Sequence, residues 1–266
     1  MADSEPVHFF DIFSDLPGAS KSWSPNTLKT RMVLNFKGIP YTQSWTSYPD
    51  IEPLMKGLAV SPNEVGMPYT LPAIIHKPSV QSNPNGAMMD SRPIAVHLDK
   101  AFPSRPLFPS GDASYALSIA VEKAIGGLRP VMMPLIFPRV PEHLDPRSEE
   151  YFTRTRSKLF GKPLAEMRPT DQESIQALWQ ILETESKFFI TMLKGREGKT
   201  GPFFEGDKPG YADMVLICWI AFFHRFDLDA WEVIMSQGDG ELKALWDACL
   251  PWMEGQGEEK DWPIPQ

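Results

Sequence analysis

The stretch MPYTLPAIIHKPSVQSNPNGAMMDSRPIAVHL, residues 67–98, decides the fold. It reads as strand, turn, strand, helix. Ala73-Ile74-Ile75 is a short apolar run, and Pro72 stands immediately before it. Proline has no N–H for a sheet ladder, so it belongs at a strand's first residue or on an edge. Asn83-Pro84-Asn85-Gly86 is hairpin turn chemistry, because asparagine and glycine tolerate positive φ. Asp90-Ser91 then precedes Ile94, Leu98 and Phe102, an apolar set at helical spacing with cap residues in front. In this order the pieces make a peptide-binding edge beside a proline. One hairpin later comes a helix N-terminus whose free N–H groups suit a carboxylate.

Toward the N-terminus, Val7 to Phe13 (VHFFDIF) is a strand of β-branched and aromatic residues. Asp15 to Trp23 is loop. Ser24-Pro25 opens a helix, with serine at the N-cap and proline at the first helical position. Leu28, Met32 and Phe36 share one face of it, and Gly38 ends it. Tyr41 to Thr46 is a second strand, parallel to the first across a right-handed connection. Residues 48–67 carry Pro49, Pro53, Pro62 and Gly66 and read as irregular.

Beyond a linker at residues 103–111 every signal is helical. Asp112 caps a segment through Leu128. Four prolines interrupt the apolar stretch that follows. Helices then run over Pro146 to Phe160, from Asp171 past Leu193, over Gly210 to Phe223, over Asp227 to Met235 and over Asp239 to Met253. The Gly210 helix is nearly all apolar, hence central. The acidic, Pro-rich tail from Gly255 is expected to run over the surface.

Composition narrows the function. The 266 residues are 42% hydrophobic and 23% charged, with a net charge of −8. Such a chain buries a core, and its acidity argues against nucleic acid or an anionic membrane as the main partner. Cys218 and Cys249 both sit in apolar helical patterns, which makes them core thiols and fits a reducing, cytoplasmic compartment. The five histidines show no metal-ligand spacing. The N-terminus MADSEPVHFF lacks the basic region of a signal peptide. The run from Met214 to Phe223 is too short to span a bilayer.

Phe203-Phe-Glu-Gly-Asp-Lys-Pro-Gly-Tyr-Ala-Asp213 is the second specific motif. It resembles the Gly-Asp-x-Pro-Ser/Thr-x-x-Asp signature that starts the central helix of the second domain in the cytosolic glutathione transferases. There a reciprocal capping box forms. Here Gly210 takes the Ser/Thr place, so Asp213 caps, as a structural residue. With residues 67–98, the resemblance covers nearly the whole chain. The Ser22-Trp-Ser-Pro-Asn26 opening and the Lys29-Thr-Arg31 run are most similar to the fungal β-etherase-like class called FuA.

The resemblance implies an α+β thioredoxin-like domain, residues 1–102, followed by an all-helical domain, residues 112–266. It implies glutathione as co-substrate, a cis bond at Leu71-Pro72, and the γ-glutamyl end held by Asp90-Ser91. Lys56 is the cation nearest the place of the glycyl carboxylate; it is either a ligand there or a solvated lysine. Ser24 stands where a hydroxyl and a helix N-terminus meet and is the candidate donor to the glutathione thiolate, with Ser22 and Asn26 as rivals. Trp23, Met132, Met133 and Phe137 are candidates for the wall against a hydrophobic aromatic substrate, the last three also reading as ordinary core. No cysteine stands at this helix start, which argues against thiol–disulfide exchange. The implied reactions are conjugation, ether or ester cleavage, or peroxide reduction, in a homodimer. The alternative is a ligandin-type binder of aromatic small molecules.

Overall fold

Val7–Ile12 forms strand β1, and all six of its residues are buried. It is the middle of a five-stranded sheet ordered β4-β3-β1-β2-β5, in a computed structural model that describes residues 5–255 and 257–264. β2, Tyr41–Thr46, runs parallel to β1 with Val7 opposite Tyr41. β3, Ala73–Ile75, is antiparallel to β1, and β4, Ala87–Met89, is antiparallel to β3.

Helix α1, Pro25–Lys37, joins β1 to β2 and ends at Gly38, which takes the left-handed conformation. Nearly all of α1 is buried, including Lys29, Arg31 and Lys37. A buried cation needs partners. Lys37 finds Asp99 and the carbonyls of Ser104 and Arg105 at 2.8–3.0 Å.

The region expected to be irregular holds a short helix, α2, Ile51–Gly57. Pro53 lies in its first turn, where the missing N–H would have had no helical partner. The connection from β3 to β4 is longer than a tight hairpin, yet its turn is built as the sequence implies. Asn83 Oδ1 accepts from Asn85 N and Ala87 N, and Gly86 takes φ 68°. A Cβ on Gly86 would stand 2.6 Å from the Lys77 backbone, so the turn requires glycine there. Helix α3, Ser91–Ala101, follows β4.

The remaining helices are α4, Asp112–Ile125; α5, Arg129–Leu135; α6, Pro146–Phe160; α7, Gln172–Lys194; α8, Tyr211–Phe226; α9, Leu228–Met235; and α10, Glu241–Glu254. In α8 every residue but Trp219, His224 and Arg225 is buried. Asp213 anchors its start: Oδ2 accepts from Gly210 N and Oδ1 from Phe204 N, both at 2.8 Å. Asp171 and Asp227 cap α7 and α9 through their side chains. Cys218 and Cys249 are buried free thiols, and burial pushes that of Cys249 up.

Two compact units result. The first holds the described residues of Met1–Pro106, Leu144–Tyr151 and Trp252–Gln266; the second holds Leu107–His143 and Phe152–Pro251. Two pieces of the late chain therefore pack with the sheet. Asp145 accepts from Ser47, Ser148 from Tyr48 N, and Tyr151 stacks on Tyr48 with ring centroids 5.8 Å apart.

The described residues of the tail lie on the surface, as expected, and part of them adds a strand to the sheet. Glu258–Glu259 is a fifth strand, β5, parallel to β2 with Gln43 opposite Glu259. Asn35 donates to the carbonyls of Trp252 and Gly255, and Lys260 N donates to Gln43 O at 2.8 Å. Trp262 lies over His8, centroid to centroid 4.6 Å, and edge-on to Phe10.

Candidate functional site

β1 ends at Ile12, and β3 begins beside that end, because Ala73 pairs with Phe10. β4 closes there too, since Met89 pairs with Ala73. The starts of α1 and α3, each following one of these strand ends, therefore lie at the same end of the sheet. Ligands bind at the carboxyl ends of strands in such sheets for this reason. The topology brings Ser24, Pro72 and Asp90-Ser91 to the same end of the sheet from three separate stretches.

The Leu71-Pro72 peptide is cis, as the family resemblance implies. Leu71 is buried. Pro72 O accepts from Asp90 N at 3.0 Å, which ties the entry of β3 to the start of α3. Asp90 holds φ 74° and ψ 129°, a conformation costly for any residue but glycine. Its carboxylate does not cap α3; Thr70 Oγ1 donates to it at 2.5 Å. That bond and the one to Pro72 O over-determine the strained residue. Ser91, half-buried, is the first residue of α3. Pro93 two residues on has no N–H, so the N–H groups of Ser91 and Arg92 are the donors of this first turn.

Ser24 is the N-cap of α1, and only 7% of its surface is exposed. Its hydroxyl makes no side-chain cap bond, while its carbonyl accepts from Leu28 N at 2.9 Å. Pro25 removes one N–H, and the dipole of a 13-residue helix points at the position.

The two rivals of Ser24 sit differently. Ser22 is wholly buried and donates to Asp11 Oδ2 at 2.6 Å, so its one proton is engaged. Asn26 is exposed on the first turn of α1.

Trp23, expected as a wall, is 3% exposed. Its indole N–H donates to Phe13 O at 3.3 Å, and its ring lies 6.4 Å from Tyr48. It packs between the loop and Tyr48. Lys56 is exposed and ion-paired to Glu52 at 2.6 Å, one helical turn away on α2. That pair raises its pKa through the Glu52 hydrogen bond and occupies the ammonium. Met132, Met133 and Phe137 all lie in the second unit. Met132 is buried in its core, and Phe137 is half-buried against Phe152, Phe160 and Phe222. Sequence reading passed over Asp11, Thr70 and Tyr48. Only the paired charges Asp11 and Arg31 inside apolar segments signalled a buried polar cluster.

Among the described residues no group of three or more His, Cys, Asp or Glu could hold a metal ion. Among them also, no helix is long and apolar enough to cross a membrane.

Known proteins are similar to this chain over nearly its whole length. The family model of the glutathione S-transferase N-terminal domain matches residues 23–101, and that of the C-terminal domain matches residues 116–252. The glutathione S-transferase-like protein ustS of Aspergillus flavus is 55% identical, over 99% of this chain and 97% of that relative. A glutathione S-transferase of Ceriporiopsis subvermispora, solved in complex with glutathione, is 30% identical with a TM-score of 0.80; the match covers 93% of this chain and 98% of that one. Glutathione transferase GSTFuA3 of Phanerochaete chrysosporium is 29% identical with a TM-score of 0.81, over 94% and 98% of the two chains.

Proposed function

Since this chain belongs to the glutathione S-transferase family and takes glutathione as its co-substrate, we propose that it activates the glutathione thiol through Ser24 and directs the thiolate at hydrophobic aromatic electrophiles. The observation that carries this reading is the Ser24 hydroxyl, buried at the start of α1 without a side-chain cap bond.

The energetics are sufficient. A free thiol titrates near 8.5, and lowering that by ~2 units takes about 2.7 kcal/mol of preference for the anion. A hydroxyl hydrogen bond to an anion supplies ~1.5–3 kcal/mol. A helix N-terminus adds roughly 0.3–1 kcal/mol. No general base is needed. The serine donates and keeps its proton, and the thiol proton leaves to solvent.

The rest of the peptide is held by its own groups. The cis Leu71-Pro72 edge presents backbone to the cysteinyl amide. Ser91 and the first turn of α3 take the γ-glutamyl carboxylate. The thiolate then attacks the electrophilic atom, a new bond to sulfur forms, and the leaving group departs with its electron pair. Ether, ester or thioether substrates of aromatic character fit this scheme.

The reading extends to a cytoplasmic homodimer. Tyr115 and Ile119, exposed one turn apart on α4, supply an apolar face that a second copy would cover.

Initial rates of conjugation with aromatic electrophiles, measured beside calorimetric titration of glutathione, test the function. Turnover with micromolar to millimolar glutathione affinity is expected. Tight binding of aromatics with glutathione bound but never consumed would instead make the protein a ligandin-type binder.

A further inference from the structure

We propose that Ser22, Asp11 and Arg31 are positioning residues that hold the loop carrying Ser24, so that its hydroxyl is aimed before glutathione arrives. The proposal rests on the reading of Ser24 as thiolate donor.

The three side chains are wholly buried, and each comes from a different piece of chain. Asp11 is on β1, Ser22 on the loop, and Arg31 two turns into α1. Asp11 Oδ2 accepts from Ser22 Oγ at 2.6 Å and from Arg31 Nη2 at 2.9 Å, while Oδ1 accepts from Ile12 N at 2.7 Å. Arg31 Nη1 donates to Gln43 Oε1 at 2.6 Å and to Tyr41 Oη at 3.2 Å, both on β2. Its guanidinium carbon lies 5.1 Å from the centre of the Phe9 ring and 5.4 Å from that of Trp45. The ion pair thus stitches β1, α1 and β2 together and leaves Asp11 Oδ2 able to accept from the loop as well. Ser22 takes it.

The loop is pinned residue by residue. Ser14 Oγ donates to Lys21 O at 2.9 Å. Ser22 is held by Asp11, Trp23 by Phe13 O, and Ser24 by its carbonyl bond to Leu28 N. Four consecutive residues are fixed; the Ser22 hydroxyl is committed to Asp11, whereas the Ser24 hydroxyl makes no side-chain cap bond. A donor fixed in advance by bonds to its neighbours stabilises a developing anion without reorganising when the anion forms. A buried ion pair adds little to stability by itself, since apolar residues of similar volume often do as well. Its consequence here is directional: it sets where the loop ends and α1 begins.

The test is a double-mutant cycle on the full-length protein, read by thiolate absorbance of the glutathione complex against pH. Ser22→Ala is expected to raise the thiol pKa by roughly half to one unit, a threefold to tenfold fall in the thiol ionisation constant, with glutathione affinity nearly unchanged. The shift should vanish in the Ser24→Ala background, because Ser22 acts through Ser24. Ser22→Thr, which keeps the hydroxyl, should restore the wild-type titration. Ser22→Cys, nearly isosteric and a poor donor, should shift in the same direction and serves where Ser22→Ala does not fold. An unshifted titration in Ser22→Ala or Ser22→Cys overturns the proposal. An equal shift in both backgrounds also overturns it, since Ser22 would then touch the sulfur itself. If Ser24→Ala alone titrates like wild type, the Ser24 reading fails first, and the positioning role falls with it.

Discussion

Glu259 accepts a hydrogen bond from the indole N–H of Trp45 at 2.7 Å, and the same carboxylate lies 3.4 Å from Lys21. The Trp45 bond is the largest influence holding the Glu259 carboxyl below its usual range. The pair with Lys21 is exposed and by itself worth little. The Trp45 bond matters because it registers β5 on β2, which would otherwise be an open edge. Open edges invite pairing with other chains. Deleting the chain from Gly257 onward should cost about 1–3 kcal/mol of stability and promote self-association. Urea unfolding and light scattering check this. Gly257→Ala is the gentler version: its Cβ would stand 2.5 Å from the Tyr41 ring and should undock the strand. A truncated protein that unfolds and disperses like the full chain would show that the tail adds nothing.

His8 lies under Trp262 and makes side-chain hydrogen bonds to Thr42 and Ser44. Burial, with Lys260 nearby, pushes its pKa down from 6.5 to about 4. Between those values the unfolded chain binds a proton that the folded chain does not. Stability from this group is therefore complete above pH 6.5 and is lost as pH falls toward about 4, by up to ~1.4 kcal/mol per pH unit. His8→Gln should flatten that slope. The measurement is the difference between wild type and variant in denaturant unfolding at each pH. Parallel curves from pH 4 to 7 would remove His8 from the account.

Asp213 pulls the other way. Burial raises its carboxyl from 3.8 to about 7 against two backbone donors. Its folded pKa lies above the unfolded one, so this contribution is complete below 3.8 and is lost as pH rises through about 7. Asp213→Ala should still cost ~0.5–2 kcal/mol, because it removes the cap of α8. Activity per folded molecule should survive. Activity lost at an unchanged melting temperature would make Asp213 a functional residue.

Ser91→Ala should weaken glutathione binding by roughly 1–3 kcal/mol, about five- to 150-fold, as an anion loses a charge-assisted partner. Calorimetry with glutathione reads it directly. Unchanged affinity would mean that the γ-glutamyl carboxylate sits elsewhere.

Ser24→Ala removes one charge-assisted bond and leaves the start of α1 intact. At neutral pH kcat should fall about threefold to 25-fold, as a rise of one to two units from a bound-thiol pKa of ~6.5 implies, and raising the pH should recover part of it. The KM for glutathione should change little, because Pro72 and Ser91 hold the peptide. A pH-independent loss would point to a different role for Ser24.

Local chemistry determined much of this protein directly from the sequence. Strand β2 spans Tyr41–Thr46 as its residues imply, α1 opens on Ser24-Pro25, and Gly38 closes it in the left-handed conformation. The capping role of Asp213 was equally legible. Each is set by residues within a few positions of one another: turn-forming side chains, a missing N–H, an apolar period. The tertiary structure alone decided the rest. Ser22 differs from Ser24 because Asp11, eleven residues away, accepts its hydroxyl's hydrogen bond. Asp11 in turn is placed by Arg31 from the far side of the loop. The tail becomes a strand because β2, more than 200 residues earlier, leaves an edge to fill. Met132 is buried because of the elements packed around it. Period and propensity act within a helical turn or a strand. Which hydroxyl stays uncommitted, and which edge stays open, depends on partners that only folding brings into reach.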